Sequence, residues 1–235
     1  MLRKPVMNAQ KRRPPPEAAD AEPEARSEPE PRPEVEPEQQ PRTLDACRRC
    51  ALWERATQGV PGAGARHAPI MMVGEQPGDS EDKAGKPFVG PAGQLLDDAM
   101  HEAGVVRKDV FITNAVKHFK WEPRGKRRLH KTPAQREIEA CRYWLDQELE
   151  EVAPKVVIAL GSTALKALLQ DPHARLQEHF DKVIEHGGRA ILATWHPSYA
   201  LRAPDRETRQ RALAHIVETL SRAGALAHGK RSGTE

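Results

Sequence analysis

Residues 68–79 read APIMMVGEQPGD, and the reading of this stretch decides the fold. The run APIMMVG (68–74) is apolar, uncharged and too short to make a helix of ordinary length. It ends abruptly on Glu, Gln, Pro and Gly, so it reads as a buried strand entering a loop. Three further runs have the same character: DVFITNAV (109–116), KVVIALG (155–161) and RAILATW (189–195). Between them the apolar residues recur with helical period, in GQLLDDAMHEAG (93–104), AQREIEACRYWLDQELEEVA (134–153) and STALKALLQ (162–170), and RETRQRALAHIVETLSRAG (206–224) follows the last strand. Thr132-Pro133 and Ser162 are suitable helix openings. Strands alternating with helices predict right-handed crossovers and an α/β fold: a three-layer α/β/α domain around a central parallel sheet of about four strands.

Polar residues collect directly after these strands. Glu75-Gln76-Pro77-Gly78-Asp79 follows the first, Asn114 ends the second, Gly161-Ser162 follows the third and His196-Pro197-Ser198 the fourth. Parallel sheets bind ligands at the carboxyl ends of their strands, so these four loops are expected to meet at one cleft. A dinucleotide site is disfavoured, because it needs a G-x-G-x-x-G turn after the first strand, and here that strand runs into GEQPGD. The glycine-rich GVPGAGARH (59–67) precedes the strand instead.

Composition divides the chain. Residues 1–42 hold ten of the 21 prolines, no aromatic residue and a Glu-Pro alternation, which predicts a disordered tail. The domain is expected over 43–225, with a flexible C-terminus over 226–235. The tail lacks the apolar stretch of a secretory signal and is rich in acid, unlike a transit peptide, so a cytoplasmic protein associated with the bacterial nucleoid is expected. No run is apolar enough to cross a bilayer, and mean hydropathy is −0.71. Net charge is only +3, so a nucleic-acid partner must be argued from local clusters. One such cluster runs from Lys117 to Lys131: Lys117, Lys120, Arg124, Lys126, Arg127, Arg128 and Lys131 against the single acid Glu122, with Trp121 among them as a possible stacking platform.

Three cysteines, Cys47, Cys50 and Cys141, make an odd set without an export signal, which argues for a metal site in a reducing compartment. His118 is available as a fourth ligand. Spacing alone leaves zinc and a [4Fe–4S] cluster both open.

The segments CRRC (47–50), MMVGEQPGDSED (71–82), GKPFVGPAG (85–93), ITNAVKHFK (112–120), GKRRLHKTP (125–133), EACRYWL (139–145) and HPSYALR (196–202) together resemble the iron–sulfur family 4 group of uracil-DNA glycosylases. Within that group they resemble the covalent-linking branch known as UdgX. The resemblance implies a uracil nucleotide flipped into the cleft. Phe88 would stack on the base, Asn114 would meet its O4 and N3–H, and Gln76 and Asp79 would complete the uracil contacts. His196 would donate toward O2 as the base leaves, and Glu75 would face the developing sugar cation. In the loop GKRRLHKTP, His130 is the residue able to capture that cation and leave a stable protein–DNA adduct. Lys126, Arg127, Arg128, Ser198 and Arg202 would contact DNA. The resemblance favours a [4Fe–4S] cluster on Cys47, Cys50, His118 and Cys141. A monomer acting on uracil-containing, mainly single-stranded DNA is expected. Leu129 departs from the isoleucine of the branch's KRRIH motif, a change in branching alone. Two other readings remain open: a hydrolytic glycosylase of repeated turnover, and a non-catalytic iron–sulfur DNA-binding protein.

Overall fold

The computed structural model describes residues 41–229; nearly all of the expected disordered tail and most of the expected flexible C-terminus lie outside them. Four strands form the predicted parallel core: β2 (Ile70–Gly74), β3 (Val110–Asn114), β6 (Val156–Leu160) and β8 (Arg189–Thr194). The sheet is larger than the sequence suggested and mixed in direction. A two-residue strand β1 (Ala63–Gly64) pairs antiparallel with β3, and β7 (Ile184–His186) pairs antiparallel with β8. The order across the six strands is β1-β3-β2-β6-β8-β7.

The central strands are apolar throughout because both of their faces are covered. Met71 and Val73 of β2 belong to one core cluster with Val157 and Ala159 of β6, under α3 (Gln135–Val152) and α4 (Ser162–Leu169). Ile70 and Met72 turn the other way with Ile158 and Leu160, under α2 (Pro91–Glu102) and α6 (Arg206–Ala227). The alternation follows the two-residue period of a strand. Helix α6 continues to Ala227, two residues beyond the expected end of the domain.

The basic stretch after β3 folds as an antiparallel hairpin, β4 (Trp121–Arg124) with β5 (Arg127–His130), turning at Gly125, whose φ of +59° suits glycine. It stands apart from the main sheet. Connections from β2 run to β3 on one side, and β6 lies on the other, which places the switch point of the sheet above β2 and β6. Among the described residues, no helix is long and apolar enough to cross a membrane.

Candidate active site

A cavity of about 520 Å³ opens above that switch point, and it contains the strand-end residues expected to converge: Glu75, Asn114, Gly161 and His196. Phe88 and His130 also line it.

One wall of the cavity is built under backbone strain. Phe88, between short α1 (Asp79–Ala84) and α2, has φ +53°, a left-handed conformation that a bulky residue adopts only when its surroundings impose it. Two glycines make the room. A Cβ on Gly93 would lie 1.8 Å from the Phe88 carbonyl oxygen, and one on Gly74 would lie 2.6 Å from the ring. The Phe88 ring stands 5.8 Å from the ring of His196, centroid to centroid. Next to it, Asn114 is 2% exposed and its Oδ1 has no hydrogen-bond partner in the protein. A buried acceptor left unpaired costs free energy, so this oxygen is set to receive a donor from a ligand.

His196 caps α5 (Pro197–Leu201). The backbone N–H of Ser198 donates to its Nδ1 at 3.1 Å, and the Ser198 hydroxyl lies 2.8 Å from the same nitrogen. A backbone N–H can only donate, so in the neutral ring the proton sits on Nε2. Burial, with help from the Arg202 and His130 charges, pushes the pKa of His196 down to about 4. The ring is therefore neutral at physiological pH and can still offer one N–H.

Glu75 is held from two sides. Thr163, near the start of α4, donates its hydroxyl to Oε2 at 2.5 Å, and Nε2 of His130 lies 3.3 Å from Oε1. Sequence reasoning did not single out Thr163, because nothing local marks a threonine near a helix start as the partner of a residue 88 positions earlier. The imidazole of His130 is about half exposed and packs at 6.1 Å from the Phe119 ring. Its burial pushes its pKa below the ordinary histidine value, Glu75 pulls it up and Arg202 adds to the fall.

Several side chains expected to touch the ligand have different partners. Gln76 is 6% exposed and its amide binds the base of the hairpin: Lys120 N donates to Oε1 at 2.9 Å, and Nε2 donates to the carbonyl of Lys131 at 2.9 Å. It ties together the two ends of the hairpin that carries His130. Asp79 borders the cavity, but its carboxylate pairs with Lys83 at 2.6 Å and with Arg128, and these partners hold it below the usual carboxylate range. Arg128 is not an outward phosphate ligand: its guanidinium reaches inward to Asp79 and to the fully buried Asp82. Lys117 is likewise no phosphate contact, being fully buried against Glu148 at 2.6 Å. Trp121 donates its Nε1–H to the carbonyl of Arg55 at 2.9 Å and is anchored there. Lys126, Arg127 and Arg202 are exposed, and Arg202 stands at the mouth of the cavity beside both imidazoles.

Cys141 lies against the backbone of Lys117, in the segment between β3 and the hairpin. Cys47 and Cys141 are buried and Cys50 half-buried. Trp144 Nε1 donates to Cys47 Sγ at 3.3 Å and the backbone N–H of Lys117 donates to Cys141 Sγ at 3.1 Å. Burial, with Cys50 and Cys47 adding to it, pushes the Cys141 thiol up to about 12, so only a bound cation would keep it as a thiolate. Burial lowers the pKa of His118, which favours the neutral, ligating ring. As they stand, no three His, Cys, Asp or Glu side chains among the described residues are arranged to hold a metal ion. In type and burial, with N–H donors aimed at sulfur, the set nonetheless fits an iron–sulfur group.

Residues 61–221 match the model of the Uracil DNA glycosylase superfamily. The Type-4 uracil-DNA glycosylase of Thermotoga maritima is 38% identical over 176 residues, covering 74% of this chain and 88% of that protein. That of Pyrobaculum aerophilum is 41% identical over 165 residues, 67% of this chain and 81% of the relative. The Type-5 uracil-DNA glycosylase of Thermus thermophilus is 32% identical over 218 residues, 77% and 96% of the two chains. With the model match spanning most of the described residues and the strand-end loops meeting at one cavity, the chain belongs to the uracil DNA glycosylase superfamily.

Proposed function

We propose that this protein removes uracil from DNA and then keeps the sugar, joined to His130, as the UdgX branch does. The observation that carries the reading is the placement of the His130 imidazole, 3.3 Å from Glu75, in the cavity walled by Phe88, Asn114 and His196.

Each residue has a part in breaking and remaking one bond. The base stacks on Phe88, and its N3–H reaches the unpaired Oδ1 of Asn114, with O4 taking the amide N–H. Cytosine has no proton on N3, so it would leave Oδ1 unpaired and lose affinity. The C1′–N1 bond breaks with its electron pair going to uracil, whose O2 receives the Nε2–H of His196. A neutral donor serves here, because it stabilises the anion without having to give up its proton. The positive charge left on C1′ faces the carboxylate of Glu75. A ring nitrogen of His130 supplies the pair for the new C1′–N bond, and the cation passes from the sugar to the imidazole, still beside Glu75. Loss of the ring's N–H proton completes the adduct.

Lys126, Arg127, Ser198 and Arg202 are suited to hold the phosphates of a mainly single-stranded substrate, in a monomer working in the bacterial cytoplasm. Cys47, Cys50, His118 and Cys141 would hold a [4Fe–4S] cluster, which would supply a cross-link between the N-terminal segment and α3. The test is digestion of protein treated with a uracil oligonucleotide: mass spectrometry should find one deoxyribose-linked peptide carrying His130. Repeated uracil release without adduct would point to hydrolysis, and binding without uracil release to a non-catalytic protein.

A further inference from the structure

Lys117 is fully buried, and all three protons of its ammonium have partners. Nζ donates to Glu148 Oε2 at 2.6 Å, to the Thr113 hydroxyl at 2.6 Å and to the carbonyl of Asn114 at 2.8 Å. Glu148 in turn accepts the Thr113 hydroxyl at 2.6 Å and, through Oε1, the backbone N–H of Gly62 at 2.8 Å. The main chain of Lys117 is tied separately, to Cys141 Sγ. Stability alone does not explain such a network. Removing two charges from water costs about as much as their attraction returns, and an apolar pair of similar volume would often serve the core as well. A closed set of short bonds does fix geometry. What it fixes is the strand end carrying Asn114, whose side-chain oxygen is buried and unpaired beside the Phe88 ring.

We infer that Lys117 is a positioning residue for base recognition: it pins the main chain at Asn114 and, through Glu148 and Cys141, fastens that point to helix α3. The idea rests on the reading of Asn114 as the partner of uracil. It also gives the cysteine-bearing helix a link to specificity, since both anchors of Lys117 on α3, Glu148 and Cys141, belong to that element. Asn114 then meets the base with its orientation already set, so little ordering remains to be done on binding.

The test uses Lys117→Met/Glu148→Gln, which removes both charges together, and Thr113→Val, which removes only the hydroxyl between them. Reaction with a uracil-containing single strand is followed at increasing protein concentration. Binding to the same strand with cytosine in place of uracil is measured beside it, together with melting temperature and iron content. We expect the half-saturating concentration for the uracil strand to rise about tenfold in the double variant and roughly threefold in Thr113→Val, the loss of about one neutral hydrogen bond or part of one. Affinity for the cytosine strand, which lacks the N3–H that Asn114 would receive, should stay unchanged, at a temperature well below melting. A merely structural role would lower the melting point and leave half-saturation where it was, and that result in either folded variant overturns the inference. If the double variant does not fold, Thr113→Val decides alone. Wild-type protein that leaves uracil in place would overturn the function itself and this inference with it; active wild type with unchanged variants overturns only the inference.

Discussion

Replacing Thr163 by valine isolates the hold on Glu75. The two side chains have nearly the same volume, and Thr163 is only 7% exposed, so the backbone of α4 has no cause to move. What disappears is a 2.5 Å hydrogen bond to Glu75 Oε2. Hydrogen bonds to charged groups contribute about 1.5–3 kcal/mol, and the lower end applies because the Glu75 side chain is 23% exposed and water can replace part of the bond. Without it the carboxylate should turn away from His130 and from the C1′ cation of the proposed reaction. A loss of about 1.5 kcal/mol in the transition state slows the reaction roughly tenfold. The assay is single-turnover adduct formation, with protein in excess over a labelled uracil strand, quenched at intervals into denaturant. Thr163→Ser keeps the hydroxyl and should recover the rate to within about threefold. If valine reacts as fast as threonine, or if serine is as slow as valine, the hydroxyl does not hold the carboxylate and this account of Glu75 is wrong.

Four other outcomes are expected. Binding of single strands should weaken steeply with salt, and Lys126→Ala and Arg127→Ala should each lower the slope of log affinity against log salt by about 0.7. Arg128→Ala should hardly change that slope but should lower the adduct rate and loosen the hairpin, visible as faster amide exchange over 121–130, because it takes the cation from buried Asp82 and one of two from Asp79. The pKa of His196 is depressed to about 4 from an ordinary 6.5, so acid favours the unfolded chain: melting temperature should be level above pH 6.5 and fall as pH drops toward 4, and His196→Gln should flatten that fall. Purified protein should be brown with iron and sulfide in equal amounts, and Cys141→Ser should lose them; colourless protein with stoichiometric zinc would remove the cluster from the account.

The central sheet was legible because strands buried on both faces leave uninterrupted apolar runs, and APIMMVG and KVVIALG carry that mark plainly. The edge strands β1 and β7 were not, since two or three residues on the margin show no periodicity. The hairpin was legible only as charge: Pro123 and the Arg-Arg pair hide its alternation, and charge says nothing of direction. Lys117 and Arg128 looked like their basic neighbours, yet one is buried against Glu148 and the other faces two aspartates. Such pairs join residues 31 to 49 positions apart, and only the folded chain brings them together. For the same reason the sequence did not show that the Gln76 and Asp79 side chains, at the rim of the cavity, also bond to the hairpin that carries His130.

The decisive comparison sets wild type beside His130→Ala on a denaturing gel, each mixed with a labelled uracil-containing single strand and with its thymine counterpart. Wild type should give a band of protein joined to DNA with the uracil strand alone. His130→Ala should give none, while still bound to the strand under native conditions and releasing some uracil as water enters the space left by the ring. A denaturant-resistant band persisting in His130→Ala, or absent from wild type that nonetheless turns uracil over, would mean that the imidazole at position 130 is not what captures the sugar.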